Sequence, residues 1–498
     1  MSKNHIRFIF GVLIFAMIFC TPEKEKAQLK YESTWTSLSK HQTPQWYKDA
    51  KFGIYTHWGI YSVPAKGPNG SWYEHFMYIS GSEQNKYHIE NYGPPEKFGY
   101  KDFIPMFKAE KFNADEWADL FQKSGAQFAG PVAIHHDGFA MWDTKYSEWN
   151  AAKMGPHKDV VGELERAIKK RGMKFLTSFH HIEHWWFVPT WDQRYDTNNP
   201  AYKEFYGPIH DSFRDSPTDE YLTSWKDKVI EVIDNYDPDI IWFDTGLGSV
   251  REDYRKQMIA YFYNKALERN KEVVLNYKGN DISPGIGVVD LELAQMRKMT
   301  YYNWITDTSV DDQGAWGYVK EANYKSVNNL VDNLIDRVSK NGYLLLNVGP
   351  KADGSIPEEV KEQLLGIGNW LKINGEAIYS TIPWTIAEEG PTKLKSDASF
   401  NNEEKFEYTS QDIRFTTKDN ILYAICLDWP GEKIIIKSLS TFVHEDFVGI
   451  YKEEIKSVSM LGDGKELEWV MDKEGMIIKL PLEKPCNYAF VFKIVLSR

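Results

Sequence analysis

At 498 residues the chain is long enough for two or three domains and a full-sized hydrophobic core, which excludes a small disulfide-held scaffold. A formal net charge of -12 leaves no basic stripe for a phosphate backbone and argues against nucleic acid as a partner, while a mean hydropathy of -0.51 excludes a polytopic membrane protein. Aromatic residues make up 15% of the chain, with 18 Trp and 29 Tyr. Rings in that number suit either a large aromatic core or a sugar ligand, whose C–H faces stack on rings while its hydroxyls take hydrogen bonds.

Residues 1–20 read as an export signal: Lys3 and Arg7 precede an apolar run from Phe8 to Phe19, too short to span a hydrocarbon core of ~30 Å. Cys20 closes the run, and the Thr-Pro-Glu-Lys-Glu-Lys that follows resembles a bacterial lipoprotein signal, in which that cysteine carries the lipid anchor. Phe19 departs from the small residue such signals place before the cysteine, so simple cleavage nearby stays open. The expectation is an exported protein, periplasmic or lipid-anchored to the outer membrane, that meets a membrane only through the anchor, with residues 21–34 as a linker. Cys426 and Cys486 lack any CxxC spacing, which argues against a zinc or redox motif and for buried free thiols rather than one optional disulfide.

From about residue 50 to 350, within an expected catalytic barrel domain of residues 35–380, the chain repeats one unit, an amphipathic stretch, a Gly or Asn break, and a short apolar run ending in a polar residue. Asn113 caps a helix carrying Trp117, Leu120 and Phe121, Ser124-Gly125 stops it, and Phe128 to Ile134 reads as a strand ending in His135-His136. Val160 to Lys170 feeds Met173 to Phe179 and then His180-His181. Trp225 to Tyr236 turns at Asp237-Pro238 into Ile240-Ile241-Trp242-Phe243-Asp244. Tyr254 to Arg269 feeds Val273 to Asn276, and Val327 to Lys340 feeds Tyr343 to Asn347. Repeated units with nearly continuous apolar strands imply a parallel sheet covered by helices, open or closed. His57, His135, His136, His180, Asp244, Asn276 and Asn347 all fall at strand ends, and a closed TIM-like (β/α) barrel converges such ends on one mouth where an open sheet scatters them. No GxGxxG or GxxxxGK[ST] follows the first strand, which argues against nucleotide binding. From 381 to 498 the pattern changes to short strands and Gly-rich turns, an all-β sandwich whose role is packing support or, alternatively, carbohydrate binding.

Asp244 ends a strand of four large apolar residues, so its carboxylate is held against aromatic walls as a nucleophile or general base, or else as a cap or ion pair for the next loop. Trp72 and Trp242 are candidate stacking faces. The histidines also invite a metal-dependent amidohydrolase-type reading. Against it, successive strand residues point to opposite faces, so His135 and His136 cannot share an ion without a kinked strand end, and no HExxH or Cys cluster occurs. Neutral histidines accepting from hydroxyls, with one of each pair a core residue, are the reading adopted, with no metal and no cofactor.

Five segments in register, Phe52-Gly53-Ile54-Tyr55-Thr56-His57-Trp58-Gly59, His135-His136-Asp137-Gly138-Phe139, Trp242-Phe243-Asp244, Trp316-Gly317-Tyr318 and Leu344-Leu345-Leu346-Asn347-Val348-Gly349-Pro350, resemble the α-L-fucosidases of glycoside hydrolase family 29. The resemblance runs from about residue 35 to the C-terminus. It implies a catalytic barrel with a C-terminal β-sandwich, no metal, and double displacement with net retention on a fucosylated oligosaccharide or polysaccharide. Asp244 matches the family nucleophile, and His57, His135, His136, Trp72, Trp242 and Trp316 match positions near the sugar.

The resemblance is weakest at the acid/base, which the family carries on a variable loop. Glu292 follows Asp244 by 48 residues and is the candidate, without the Arg-Gly that often follows; Asp290 and Glu183 are rivals. A second departure is Gly70-Ser71-Trp72-Tyr73-Glu74, where many members carry Glu directly before Trp-Tyr. Either Glu74 takes over hydroxyl recognition or Ser71 leaves a roomier corner. The expected activity is exo-acting retaining α-L-fucosidase. The alternatives are a glycosidase for an L-galactoside and, in a different class, a catalytically silent sugar-binding barrel.

Overall fold

Short β-branched and aromatic runs separated by helix-capping residues pair side by side in the computed structural model, which describes residues 30–395, 403–440, 450 and 452–497. The export signal and Cys20 lie outside the described residues. Among those residues, no helix is long and apolar enough to cross a membrane. Eight parallel strands close into a barrel in sequential order: β1 (Phe52–Thr56), β2 (Phe128–Ile134), β3 (Lys174–Phe179), β4 (Ile240–Phe243), β5 (Val274–Lys278), β6 (Val288–Asp290), β7 (Trp304–Ser309) and β8 (Gly342–Val348), with β1 pairing β8. Tyr47, Phe128, Leu176, Ile240, Tyr343 and Leu345 help fill the closed interior below the mouth. Gly53 makes room for that filling, since a Cβ there would stand 2.0 Å from the Phe128 ring.

The helices that wrap the barrel begin where the sequence places caps. Asn113 Oδ1 accepts from the amides of Asp115 and Glu116 to start Ala114–Lys123, and Asp159 accepts from the Gly162 amide to start Val160–Lys170. Helices Asp219–Tyr236, Glu252–Glu268 and Val327–Ser339 follow the same alternation.

Two barrel strands escape sequence patterning. β6 is three residues long, and β7 reads Trp-Ile-Thr-Asp-Thr-Ser, with every residue buried. Its buried polar residues find partners inside the barrel: the Tyr55 hydroxyl donates to Asp307 Oδ2 at 2.7 Å, and Thr306 Oγ1 donates to the Leu291 carbonyl at 2.8 Å. Hydropathy carries no record of such pairing.

Beyond helix Glu358–Asn374 the chain forms two antiparallel sheets. One has the order β13-β16-β11-β10-β9, from Ile455–Met460, Phe490–Leu496, Ile421–Cys426, Ile413–Lys418 and Ile382–Glu389. The other, β12-β15-β14, comes from Lys433–Ile436, Met476–Lys479 and Trp469–Met471. Phe415, Leu422 and Phe492 of the first sheet bury against Ile434, Ile436 and Ile478 of the second, the expected sandwich. Strands β9 and β14 are additions to the sequence reading. Cys426 is buried, Cys486 half-buried, and both are free thiols.

The sandwich is tied to the barrel by buried charge. Arg414 of β10 donates through Nε to Asp336 Oδ1 at 2.6 Å on helix Val327–Ser339, and Lys340 reaches the same carboxylate at 2.9 Å. Burial alone would raise Asp336; Lys340 and Arg414 outweigh it and hold the carboxyl well below its usual range. Arg414→Ala strips one cation from this pair and is expected to lower unfolding free energy by about 3–5 kcal/mol in urea denaturation, against a near-zero effect for an exposed arginine such as Arg194.

Candidate active site

The C-terminal strand ends and their loops line a pocket of about 570 Å3. His57 follows β1, and its Nδ1 lies 2.8 Å from Asn347 Oδ1 on β8. The Asn347 amide nitrogen is committed to the Trp316 carbonyl at 2.7 Å, so Oδ1 must accept, His57 Nδ1 carries the proton, and Nε2 keeps a lone pair. Burial depresses the His57 pKa well below its ordinary value, keeping the ring neutral.

His135 and His136 both face the pocket, their ring centroids 4.4 Å apart. The β2–β3 register shifts between Val132 and Ile134, and this irregularity kinks the strand end, so the alternation that was to send one ring into the core does not hold there. His136 directs Nδ1 to the His180 carbonyl at 3.0 Å and Nε2 to Asp244 Oδ2 at 3.4 Å. Both nitrogens act as donors; burial pulls its pKa down, but Asp244 and Glu183 outweigh it and raise the pKa above the ordinary value.

Asp244 follows β4 and is held on both oxygens. Oδ2 also accepts from His180 Nδ1 at 2.8 Å, and Oδ1 lies 3.0 Å from Lys278 Nζ at the end of β5. Burial acts to raise the Asp244 pKa and is overcome by Lys278 and the two histidines, which hold it well below the ordinary carboxylate value. The same ammonium contacts Glu292, and Asp307 Oδ2 at 3.0 Å. Glu292 differs: burial pushes it up to about 7 against the pull of Lys278, with Asp307 and Asp244 adding to the rise.

Of the rivals, Asp290 is fully buried beneath the pocket, accepting from Trp242 Nε1 at 2.8 Å and from the Asp307 amide at 3.2 Å. Glu183 accepts from Thr245 Oγ1 at 2.6 Å and stands 3.7 Å from His136 Nδ1, outside the pocket lining.

Three other expectations need correction. Trp242 is no stacking face: it is fully buried under the pocket with its ring 5.2 Å from that of His180, because its position on β4 points into the barrel. Glu74 does not reach the pocket. The short helix Tyr73–Met77 turns it inward, both oxygens lack partners among the described residues, and burial with nearby Asp137 and Asp196 raises its pKa well above the ordinary value. Asn276 serves the closed end instead, donating to the Tyr47 hydroxyl at 2.9 Å. Trp72, Trp316 and Ser71 do line the pocket.

The family model for α-L-fucosidase matches residues 18–376, and that for the α-L-fucosidase C-terminal domain matches residues 406–495. The chain belongs to the α-L-fucosidase family. It is 31% identical over 468 residues to the tissue α-L-fucosidase of Rattus norvegicus, covering 92% of this chain and 90% of the relative. Against the human plasma α-L-fucosidase it is 31% identical, with 93% of this chain and 92% of the relative covered. The crystal structure of the Thermotoga maritima α-fucosidase in complex with fucose superposes with a TM-score of 0.74 at 33% identity, covering 93% of this chain and all of that one.

Within this α-L-fucosidase fold, sequence reasoning missed Lys278, whose one signal is that the apolar strand at Val273 runs on through Tyr277 and ends in a lysine. It also missed the C-terminal region's share of the pocket, where Glu403 pairs with Lys325 and Lys405 reaches Asp312 at 2.9 Å. Among the described residues, two groups have ligand atoms close enough for a metal, all within 4.8 Å of one another: His57 with His135 and His180, and His136 with His180 and Asp244. In the second, Lys278 and His136 already balance the Asp244 charge.

Lys278→Met would leave Glu292 buried without that counter-charge, raising further a folded pKa that already lies above the ordinary value. Such a carboxyl stabilises the fold while protonated and loses that contribution as pH rises through the folded pKa. The gap in thermal midpoint between variant and wild type is therefore expected to widen from about pH 5 to pH 8; a constant gap in calorimetry would mean the lysine does not carry that carboxylate.

Proposed function

We propose that the chain is an exported, exo-acting α-L-fucosidase that removes terminal fucosyl residues from glycans with retention, Asp244 serving as nucleophile and Glu292 as acid/base. One observation carries the assignment: the two carboxylates contact the same Lys278 ammonium yet have pKa values driven in opposite directions, Asp244 down and Glu292 up to about 7. Two oxygens on one nitrogen are at most about 6 Å apart, in keeping with the roughly 5–5.5 Å carboxyl spacing of retaining enzymes.

In the first step the ionised Asp244 attacks the anomeric carbon as the glycosidic C–O bond breaks, and Glu292 gives its proton to the departing oxygen. In the second, Glu292 takes a proton from water, which displaces Asp244 and releases the sugar. Positive charge growing on the sugar strengthens its attraction to Asp244 at the transition state. His57 Nε2, His135 Nδ1 and His180 Nε2 are free to meet sugar hydroxyls, the last two being buried without partners among the described residues. The rings of Trp72 and Trp316 offer faces to the sugar's C–H groups.

The second reading, a fucose-like sugar with one more hydroxyl such as L-galactose, is favoured by Ser71, a small neutral group on the pocket wall, with Glu74 turned away. Comparison of kcat/KM for aryl α-L-fucoside and α-L-galactoside decides it: a preference for fucoside of about 10² or more, the discrimination an apolar corner exerts against an added hydroxyl, removes the roomier corner.

Asp244→Gly is expected to lower turnover of an aryl α-L-fucoside by several orders of magnitude with the fold intact, and azide should restore part of it. Near-normal activity in the folded variant would make Asp244 structural. Because Glu292 acts protonated, wild-type kcat/KM should fall as pH rises through about 7, and Glu292→Gln should remove that limb on activated fucosides. The same substitution should harm substrates with basic leaving groups far more than activated ones; equal loss on both would assign Glu292 to binding alone.

A further inference from the structure

A second cavity, of about 330 Å3, opens outside the barrel between helix Asp219–Tyr236 and the segment around residues 200–209. Lys228 on that helix is half-buried on its wall, and among the described residues its ammonium has neither an ion pair nor a hydrogen bond. Glu231, one turn further on, accepts from Trp142 Nε1, Thr144 Oγ1 and the Lys145 amide and acts on Lys228 through its charge without a direct contact. His181, 4% exposed, lines the same cavity; its Nε2 lies 3.3 Å from the Trp225 carbonyl, and its Nδ1 has no partner among the described residues.

An ammonium in direct contact with no carboxylate, though within the field of Glu231 and Glu204, can take an anionic group, and a ring nitrogen whose neighbour donates to a carbonyl calls for a hydroxyl donor. The rings of Trp225 and Tyr221 add apolar faces, while Glu204 and Glu220 on the wall disfavour a dianion such as phosphate. We propose that this cavity binds a hydroxy-carboxylate monoanion of the sugar-acid class, its carboxylate on Lys228 Nζ and a hydroxyl on His181 Nδ1.

The cavity backs directly onto the active site. His181 follows His180, which donates to Asp244, and the Tyr221 hydroxyl donates to the His181 carbonyl at 2.7 Å. His184, also on the cavity wall, points Nδ1 at the His136 carbonyl at 2.6 Å. His181 and His184 thus link the cavity wall to His180 and His136, the two histidines that hold Asp244.

The test is isothermal titration of the full chain with D-glucuronate, with D-glucose as the neutral control and L-fucose present to fill the sugar pocket. Glucuronate should bind one-to-one with a Kd in the millimolar range or tighter, glucose should not, and L-fucose should leave the glucuronate site available. Lys228→Met should weaken binding by about tenfold or more while keeping kcat/KM for an aryl fucoside in the absence of glucuronate, and Lys228→Arg should retain binding. Absence of binding, displacement by L-fucose, equal binding of glucose, or undiminished affinity in Lys228→Met would each overturn the proposal.

Discussion

Everything at the barrel mouth is arranged around one buried ammonium. Lys278 contacts Asp244, Glu292 and Asp307 at once, and this shared ion pairing offsets the desolvation cost of burying three carboxyl groups around one point. One cation cannot neutralise three anions, so the surplus is settled unevenly. Asp244 also receives His136 and His180 and stays charged, whereas Glu292 has only the shared lysine and is driven towards its neutral form. The difference between the two carboxylates is therefore a matter of how many donors each receives, not of residue type.

The donors are themselves held from behind. Asn347 fixes the tautomer of His57, the His180 carbonyl holds His136, and the His136 carbonyl is held by His184. Each ring is oriented by a neighbour on another strand or loop, so the site requires the closed barrel: opening the β1–β8 seam would remove Asn347 from His57. The C-terminal region contributes to the same wall through Glu403 and Lys405, and its sandwich is anchored by Arg414 on Asp336. The sandwich therefore does more than cover the barrel's flank.

How much of this was readable in advance depends on the kind of signal. Where burial alone selects the residues, the sequence marks the element: the strand Phe128–Ile134, the helix Val160–Lys170 and the strand Ile455–Met460 have the limits that hydropathy and capping residues imply. Asp244 stood out because a carboxylate after four large apolar residues has no local reason to be there. β6 and β7 did not, since three residues carry no period and Thr-Asp-Thr-Ser looks like a loop until its partners are known.

The sequence by itself determined the repeating strand–helix alternation, the change to short strands after residue 380, the acidic character of the chain and the set of polar residues at strand ends, because each is a property of neighbours along the chain. Tertiary structure alone decided that Lys278 joins Asp244 to Glu292, that a shift in β2 turns both His135 and His136 into the pocket, that Trp242 and Glu74 turn away from it, and that Lys228 meets His181 in a second cavity. These depend on groups far apart in sequence or on a local break in strand alternation. Charge, hydrogen bonding and desolvation act through space, and only closure of the barrel brings those groups within range.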